Sequence, residues 1–410
     1  MNPVDQSSLL LEQAEAAASD VIARNFTSRG LSASADGYLQ VWARDTMITM
    51  LGASLNSTPL VLDCLRVSLE TLGDYQDRFG QIPYLVHCAD GRAEFGSSDA
   101  NVWWVIGAAT LMEQSWDEEW LARHADKIIK ALDWCESMDF RKNGLMISTE
   151  MVDWADLLPN RDNVLFPNVL CAYALRKGAQ LLESCRPQDS ARFAQRAAVV
   201  AAAIRDYYWV KEVGTFTDNS HFKVRTMISI GLRKRPYFLP WVSQCDWGEH
   251  FDTTANLLAI MAGIADEAQS AGILDYISET GINRPYPVQV MYPPTQIADK
   301  EWRDYMKIYN LNLPHQYHNG GIWPWVGGLY VAALVKVGRI AAAREELLLL
   351  AEALRQGKEE WECNEWLHGT TGVPMGFKDQ AWSAGMFLYA LQAVNTGQMP
   401  ELIAMHTDCR

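Results

Sequence analysis

The residues best suited to chemistry in this chain lie just before, or in the first turn of, alternate helical segments. Each cluster combines Asp, Glu, His or Arg with Trp, and a helix packed only for stability needs no such set at its start. The clusters occupy residues 42–45, 98–104, 153–163, 250–252, 318–325 and 365–383. If the six helix starts converge, they form one polar pocket with aromatic walls.

Aromatic faces and carboxylates together suit a carbohydrate, because flat rings stack on C–H surfaces and carboxylates bind paired hydroxyls. The chain contains 16 Trp. Many of them fall within the clusters or close to them: Trp42, Trp103, Trp104, Trp154, Trp241, Trp247, Trp323, Trp325, Trp361, Trp366 and Trp382. Trp also fills hydrophobic cores, so any single one could be structural. Their company of Asp, Glu and His favours a sugar site.

Several other kinds of site are disfavoured. A net charge of −15 argues against nucleic acid or an anionic membrane as partner, since phosphate binding requires clustered Lys and Arg. No His pair or carboxylate series has the spacing of a metal site, and no Gly-rich phosphate loop or Gly-x-Ser-x-Gly motif is present. The sequence predicts a small carbohydrate partner with no metal and no cofactor, and it does not indicate an oligomeric state.

Helical periodicity dominates the rest of the chain. It predicts about twelve helices near residues 6–27, 44–55, 58–78, 99–114, 117–138, 163–184, 188–208, 250–263, 266–279, 321–337, 338–356 and 378–396. A short hairpin is predicted between residues 214 and 224.

Two kinds of helix alternate along the chain. The segments at 99–114, 321–337 and 378–396 are apolar nearly all round, whereas those at 117–138 and 338–356 carry a charged face. A helix apolar on all sides is buried, and an amphipathic helix covers it. The alternation predicts an all-α (α/α)6 toroidal barrel, and residues 1–410 are interpreted as one catalytic domain.

The chain is expected to be cytoplasmic. Its first residues lack the basic and apolar regions of a signal peptide, and no apolar run approaches the length that spans a bilayer. Its eight Cys are scattered without a Cys-x-x-Cys pair, which is typical of reduced core thiols.

Five sequence fragments resemble, in order, motifs of the six-fold α/α-barrel glycoside hydrolases. They are Arg44-Asp45-Thr46-Met47-Ile48, Gly80-Gln81-Ile82-Pro83, Ser98-Asp99-Ala100 with Trp103, His318-Asn319-Gly320 with Trp323-Pro324-Trp325, and Pro374-x-Gly376 with Gln380-Ala381-Trp382-Ser383-Ala384-Gly385. This superfamily includes glycogen-debranching glucosidases, mannosylglycerate and glucosylglycerate hydrolases and processing α-glucosidase I. The resemblance covers most of the chain.

The resemblance implies an inverting mechanism with two carboxyl groups about 6.5–9.5 Å apart. One carboxyl group protonates the leaving oxygen, and the other activates a water molecule. Asp153 matches the family's acid best, with Asp156 second and Glu150 third, and each could instead cap a helix or pair with Arg161. Glu365 matches the family's base. Burial beside Trp154 would raise the pKa of the acid.

The resemblance also implies a set of substrate-binding residues. They are Arg44, Asp45, Trp42, Asp99, Trp103, Trp104, His318, Asn319, Gly320, Trp323, Trp325, Gln380 and Trp382. Some have a purely structural alternative. Asp45 and Asp99 could cap helices, His318 could bond to the backbone, and Gln380 could cap the last helix.

The predicted activity is hydrolysis of an α-glycosidic bond, most simply an α-glucosidic one, in a small oligosaccharide or glycoside. Three alternatives stay open. The chain could be a sucrose hydrolase of the neutral-invertase type, since those enzymes share the barrel and a similar His-Asn-Gly segment. It could be a sugar 2-epimerase on the same barrel, which would rely on His pairs, or a sugar-binding protein without activity.

Overall fold

The computed structural model describes residues 3–55, 57–211, 222–232 and 234–400. Six helices form a closed inner ring, in which each contacts the next and the last returns to the first. They are α2 (Ala43–Ala53), α4 (Ala100–Gln114), α6 (Leu165–Leu182), α9 (Thr253–Met261), α11 (Pro324–Lys336) and α13 (Ala381–Thr396). The predicted all-α (α/α)6 barrel is confirmed.

Six further helices pack outside the ring, and each lies against an inner neighbour. They are α1 (Pro3–Arg24), α3 (Pro59–Asp74), α5 (Glu118–Ser137), α7 (Pro187–Tyr207), α10 (Glu267–Thr280) and α12 (Ile340–Arg355). The first outer helix, α1, packs on the last inner helix, α13. That contact completes six pairs.

Burial explains the alternation. Every residue of α4 from Ala100 to Met112 is buried, whereas α5 buries a stripe that recurs every three or four residues, including Trp120, Ala125 and Ile128. A fully buried Val, Leu or Ile side chain contributes about 1.5–3 kcal/mol. The inner helices therefore provide much of the core, and the outer helices shield it from water.

Close approach between inner helices requires glycine. A Cβ on Gly52 of α2 would collide with the backbone at Gly385 of α13, and a Cβ on Gly385 would collide with the backbone at Thr49. The glycine of the Gln380–Gly385 motif therefore allows the ring to close between its first and last members.

Short strands lie in the connections that precede the inner helices. They are β1 (Phe26–Thr27), β2 (Gly30–Leu31), β3 (Gln40–Trp42), β4 (Leu85–His87), β5 (Ala93–Glu94), β6 (Asn163–Val164), β7 (Trp241–Val242), β8 (Phe251–Asp252), β9 (Met291–Tyr292), β10 (Trp366–Leu367) and β11 (Pro374–Met375). All pairings are antiparallel: β1 with β2, β3 with β4, β4 with β5, β6 with β7, β8 with β9, and β10 with β11. Strands β3, β6 and β8 run directly into α2, α6 and α9, so this end of the barrel is fixed in place.

Buried asparagines also hold loops in place at this end of the barrel through hydrogen bonds. The Asn168 amide accepts from the N–H of Met146 at 2.7 Å and donates to its carbonyl at 3.1 Å. Asn256 binds Phe238 in the same two-pronged way, at 2.9 and 3.1 Å. Each amide thus forms hydrogen bonds with both the N–H and the C=O of one buried loop residue. Leaving either backbone group without a partner would cost about 1–3 kcal/mol.

Two loop segments depart from the sequence-based prediction. Residues 222–224, expected to be part of a hairpin, lie in helix α8 (Phe222–Gly231), and the rest of that predicted hairpin falls outside the described residues. A 3₁₀ segment at Asp304–Asn310 was not expected either. Within the described ranges, no helix has the length and apolar character needed to cross a membrane.

Candidate active site

The pocket begins with a buried ion pair between the first two inner helices. Arg44 Nη1 lies 2.9 Å from Asp99 Oδ2, and the Ser97 hydroxyl donates to the other carboxylate oxygen of Asp99. Asp99 occupies the N-cap position of α4, yet its side chain makes no capping hydrogen bond. The capping alternative for Asp99 is therefore not supported, because both carboxylate oxygens are directed to side chains instead.

Asp45, next to Arg44, is also buried and adds a second carboxyl group to the pocket. Burial raises its pKa to about 6, and the neighbouring charge of Arg44 offsets part of that rise. Trp42 lies half-buried at the rim, where its ring meets Tyr38 and Tyr84 at centroid distances of 6.1 and 5.6 Å.

The loop before α6 carries the two aspartates that the sequence offers as the acid. Asp153 is only 5% exposed, and its Oδ1 accepts from the backbone N–H of Ala155 at 2.8 Å. Burial and the nearby charge of Asp99 raise its pKa to about 7. Asp252, at the start of α9, raises it further. The charge of Arg44 opposes part of that rise, so Asp153 lies within electrostatic range of groups at the starts of α2, α4 and α9.

Asp156 has a different environment. Its Oδ1 is buried 3.3 Å from His318 Nδ1, while its side chain as a whole is 48% exposed. Partial burial raises its pKa to about 6, and the charge of Arg44 opposes that rise. One oxygen is therefore buried beside His318, while the rest of the carboxyl group is accessible to a bound ligand, as a proton donor requires.

Glu365 lies in the loop before α13. Its Oε2 accepts from the N–H of Phe377 at 3.2 Å, and its Oε1 accepts from the Tyr38 hydroxyl at 3.2 Å. Burial raises the pKa of Glu365 to about 7, these two hydrogen bonds lower it, and the charges of Asp45 and Asp156 raise it again. The charges of Glu365 and Asp156 therefore interact across the same pocket.

Gly376 lies directly against Glu365. It has a φ of +74°, and a Cβ at this position would collide with the Glu365 carboxylate. This contact explains the glycine of the Pro374-x-Gly376 motif, because a larger residue would displace the carboxyl group.

A group of buried rings forms one wall of the pocket. Trp154 meets the edges or faces of His318, Trp323 and Trp325 at 4.8, 5.6 and 5.1 Å. His318 stacks on Trp323 at 5.0 Å, and Trp325 stacks on Trp382 at 5.3 Å. The indole nitrogens of Trp154, Trp325 and Trp382 have no hydrogen-bond partner among the described residues. The wall thus combines flat faces with unused donors.

His318 is neutral in this setting. Its burial and the charge of Arg44 both lower its pKa. A neutral imidazole has one donor and one acceptor nitrogen, and the 3.3 Å contact between its Nδ1 and Asp156 Oδ1 does not have the geometry of a hydrogen bond. Gln380, at the N-cap of α13, is fully buried, and its Oε1 has no partner in the described part of the chain.

Three residues predicted to bind substrate have other positions. Trp104 donates its indole N–H to the Leu69 carbonyl at 2.9 Å and packs against Gly73, so it faces outer helix α3. Successive helical residues point about 100° apart, so Trp103 and Trp104 cannot share one face. Trp103 lines an apolar cavity farther along the inner helices.

Asn319 is the third predicted substrate-binding residue with another position. It is fully buried, and its amide accepts from the N–H of Thr295 at 2.7 Å and donates to the Thr295 carbonyl at 2.9 Å. Its polar atoms are therefore used in the same way as those of Asn168 and Asn256. Gly320, with a φ of +92°, turns the backbone beside it and contributes no side chain.

Sequence analysis also missed several pocket residues. Tyr38 contacts Glu365 although the two lie 327 positions apart, and no local pattern marks that contact. His250 and Asp252 were noted as a cluster but given no role. Both line a small cavity of about 10 Å³ with Trp154 and His318. Burial lowers the pKa of His250 to about 4 and raises that of Asp252 to about 6.

Sequence comparison finds relatives of part of this chain. The sequence model described as "Alkaline and neutral invertase" matches residues 233–396. A probable alkaline/neutral invertase D of Arabidopsis thaliana is 33% identical over 177 residues, which are 42% of this chain and 32% of that protein. Cytosolic invertase 1 of Oryza sativa subsp. japonica is 26% identical over 263 residues, which are 57% and 45%. The chain thus spans about a third to a half of these relatives.

Solved structures share the fold over nearly the whole chain. A family 63 mannosylglycerate hydrolase of Thermus thermophilus, in complex with Tris and D-glycerate, has a TM-score of 0.68 at 15% identity and covers 92% of this chain and 99% of its own. A bacterial glucoamylase with acarbose has a TM-score of 0.65 at 12% identity and covers 93% and 55%. The chain therefore has the fold of the (α/α)6-barrel glycoside hydrolases, and its residues 233–396 are similar to the alkaline and neutral invertases.

Proposed function

We propose that this protein is an inverting glycoside hydrolase that cleaves an α-glucosidic bond, with sucrose as the first candidate substrate. One observation carries the proposal. Two buried or half-buried carboxyl groups from different loops, Asp156 and Glu365, have pKa values raised to about 6 and about 7 beside one aromatic wall. Both groups can therefore exchange a proton near neutral pH, and the proposed reaction uses the form in which Asp156 carries the proton and Glu365 is ionised.

In the proposed reaction Glu365 is the base. Its carboxylate takes a proton from a water molecule, whose oxygen attacks the anomeric carbon. Protonated Asp156 gives its proton to the leaving oxygen as the bond to the anomeric carbon breaks. Attack and departure occur on opposite faces of the sugar ring, so the configuration inverts. The proton gained by Glu365 then returns to Asp156 through solvent.

The choice of Asp156 revises the sequence-based order, which placed Asp153 first. Asp156 is accessible and interacts with the charge of Glu365. Asp153 is buried, and its charge interacts with Asp99, Asp252 and Arg44, of which Asp99 and Arg44 also affect Asp156. In this proposal Asp153 supports the pocket's electrostatics, and Asp156 and Glu365 lie about 6.5–9.5 Å apart, as inverting pairs do.

Charge favours a neutral substrate. The Arg44 guanidinium is already paired with Asp99, and the pocket holds further carboxyl groups at Asp45, Asp156 and Glu365. Bringing an anionic glycosyl-glycerate beside them would add like-charge repulsion. Sucrose is neutral, and the relatives that share residues 233–396 are named as invertases.

A substrate panel tests the proposal. Purified protein is incubated with sucrose, neutral α-glucosides, glucosylglycerate and mannosylglycerate, and released hexose is measured. We expect sucrose or another neutral α-glucoside to be hydrolysed with kcat/KM at least about tenfold above the anionic glycosides, which corresponds to about 1.4 kcal/mol. Cleavage of the glycerates alone would overturn the charge argument. Binding without cleavage would indicate an inactive sugar-binding protein.

A sugar 2-epimerase is the second candidate, because His250 and His318 line the same small cavity and burial lowers the pKa of both. Proton abstraction by such a pair would exchange the hydrogen at C2 of a reducing sugar. Incubation of glucose or mannose with the protein in D₂O, followed by NMR, distinguishes the two. Deuterium at C2 would favour the epimerase, and an unchanged C2 signal favours hydrolysis.

A further inference from the structure

The segment before α2 reaches across to the loop that carries Glu365. At the end of α1, Arg24 holds Asp379 with two bonds of 3.0 and 2.7 Å, and Asn25 donates to the Asp379 carbonyl at 2.8 Å. Farther along, the Ser34 hydroxyl donates to the Lys378 carbonyl at 2.7 Å. The segment between α1 and α2 therefore holds the loop that precedes α13 through hydrogen bonds.

Tyr38 lies at the end of this segment, in a turn closed by two backbone hydrogen bonds between Ser34 and Tyr38 at 3.0 and 3.1 Å. Its ring packs edge-on against Phe377 at 4.9 Å, and its hydroxyl lies 3.2 Å from Glu365 Oε1. Gly37 passes so close to the Phe377 ring that a Cβ there would collide with it. The position of the hydroxyl is thus set by packing on both sides.

We propose that Tyr38 is a positioning residue for the base, and that its hydroxyl, together with the Phe377 N–H, fixes the Glu365 carboxylate with one donor on each oxygen. The proposal rests on the proposed function, since it concerns the same carboxyl group. Tyr38 acts through Glu365 and needs no contact with substrate. A carboxylate held at both oxygens cannot rotate away from the water it activates, and positioning of this kind is worth large factors in rate.

The groups facing Glu365 define how Tyr38 affects its titration. Asp45 and Asp156 oppose its ionisation, and the hydrogen bonds from Tyr38 and the Phe377 N–H favour it. The Tyr317 hydroxyl is also near enough for its pKa to rise in response to Glu365. Burial and Glu365 itself raise the pKa of Tyr38, so the hydroxyl stays protonated and remains a donor.

The test is Tyr38→Phe, which removes the donor and keeps the ring. Without this bond the pKa of Glu365 rises, and the base is then protonated at a pH where the wild-type base is free. The acidic limb of the pH profile of kcat/KM should move upward by about one pH unit, because a hydrogen bond to a charged group is worth about one such unit or slightly more. KM should change less than kcat.

The matched control is Tyr389→Phe at the other end of the barrel, where the hydroxyl donates to the Pro400 carbonyl at 3.2 Å. It removes the same atom from a tyrosine of α13, and its acidic limb should coincide with the wild type. A Tyr38→Phe profile with an unmoved acidic limb, or an equal loss at every pH, would overturn the positioning role.

A second readout does not depend on turnover. NMR titration of protein with ¹³C-labelled glutamate, with the Glu365 signal assigned through Glu365→Gln, should show a higher pKa for Glu365 in Tyr38→Phe. If no sugar is hydrolysed but this pKa shift is found, the proposed function fails and the contact stands. If hydrolysis is found and the pKa of Glu365 does not move, the Tyr38 proposal alone fails.

Discussion

The inner helices meet two different environments along their length. At their starts lie Asp45, Asp99, Asp156, Asp252 and Glu365, together with one buried guanidinium and a wall of rings. Farther along the same helices lies a cavity of about 30 Å³ whose twelve lining residues carry no charge, among them Leu51, Ile106, Leu170, Leu258 and Leu329. One end collects groups that oppose folding, and the other collects groups that promote it.

The two ends of the barrel affect the stability of the folded protein in opposite ways. A buried carboxylate is unfavourable unless it is paired and hydrogen-bonded, and among these five described carboxyl groups only Asp99 is paired with a guanidinium. Several of the others respond to burial with pKa values of about 6–7. The apolar half of the ring therefore supplies stability for a site that lowers it.

The largest expected effect separates the two candidate acids at the polar end. Asp156→Asn and Glu365→Gln should each lower kcat/KM by about 10²–10⁴-fold, because each removes a proton-transfer group. Asp153→Asn should cost less than about tenfold. Steady-state kinetics on the best substrate of the panel measures all three. The reverse order for the two aspartates would restore Asp153 as the acid.

A change at the apolar end should affect stability and leave the chemistry unchanged. Ile106→Ala enlarges the cavity and should lower the free energy of unfolding by about 2–5 kcal/mol. Because Ile106 lies away from the carboxyl groups, kcat per folded molecule should match the wild type. Urea denaturation and activity are measured on the same samples. A loss of kcat in fully folded protein would contradict the separation of the two ends.

A smaller effect concerns pH and stability at the polar end. Because the pKa of Glu365 is raised to about 7, the folded protein binds a proton there between about pH 4.3 and 7 that the unfolded chain releases. Stability contributed by this group is therefore lost as pH rises through that window. Glu365→Gln should be more stable than wild type by about 1–3 kcal/mol above pH 7, and equal to it near pH 4.

Thermal or urea unfolding at several pH values measures this difference. Asp304→Asn is the control, since its side chain is 88% exposed and its replacement should change stability by less than about 0.5 kcal/mol at every pH. Equal stability of Glu365→Gln and wild type at high pH would mean that the carboxylate is fully compensated in the folded protein.

Much of the barrel could be predicted because the spacing of apolar residues along a helix indicates which of its faces are buried. The uniformly apolar segments at 99–114, 321–337 and 378–396 are inner helices, and the charged-faced segments are outer ones. The convergence of Arg44, Asp99, His318 and Glu365 followed from the same pattern, since all lie at or just before inner-helix starts.

Sequence patterns say least where a contact is set by tertiary geometry. Trp103 and Trp104 are equivalent in composition, and only the rotation of α4 separates the one that lines the interior from the one that faces α3. Asn319 stands in a motif that suggests a ligand, yet its amide binds a loop. The Tyr38–Glu365 contact joins the two ends of the chain, so no local spacing could indicate it.

The stereochemistry of the first product tests the central claim most directly. Proton NMR is recorded during hydrolysis of the best α-glucoside, before the released glucose has time to mutarotate. Two carboxyl groups that leave room for water between them should yield β-glucose first. For a bond broken at the glucosyl carbon, initial formation of α-glucose would require a covalent intermediate on the protein and would contradict the roles assigned to Asp156 and Glu365.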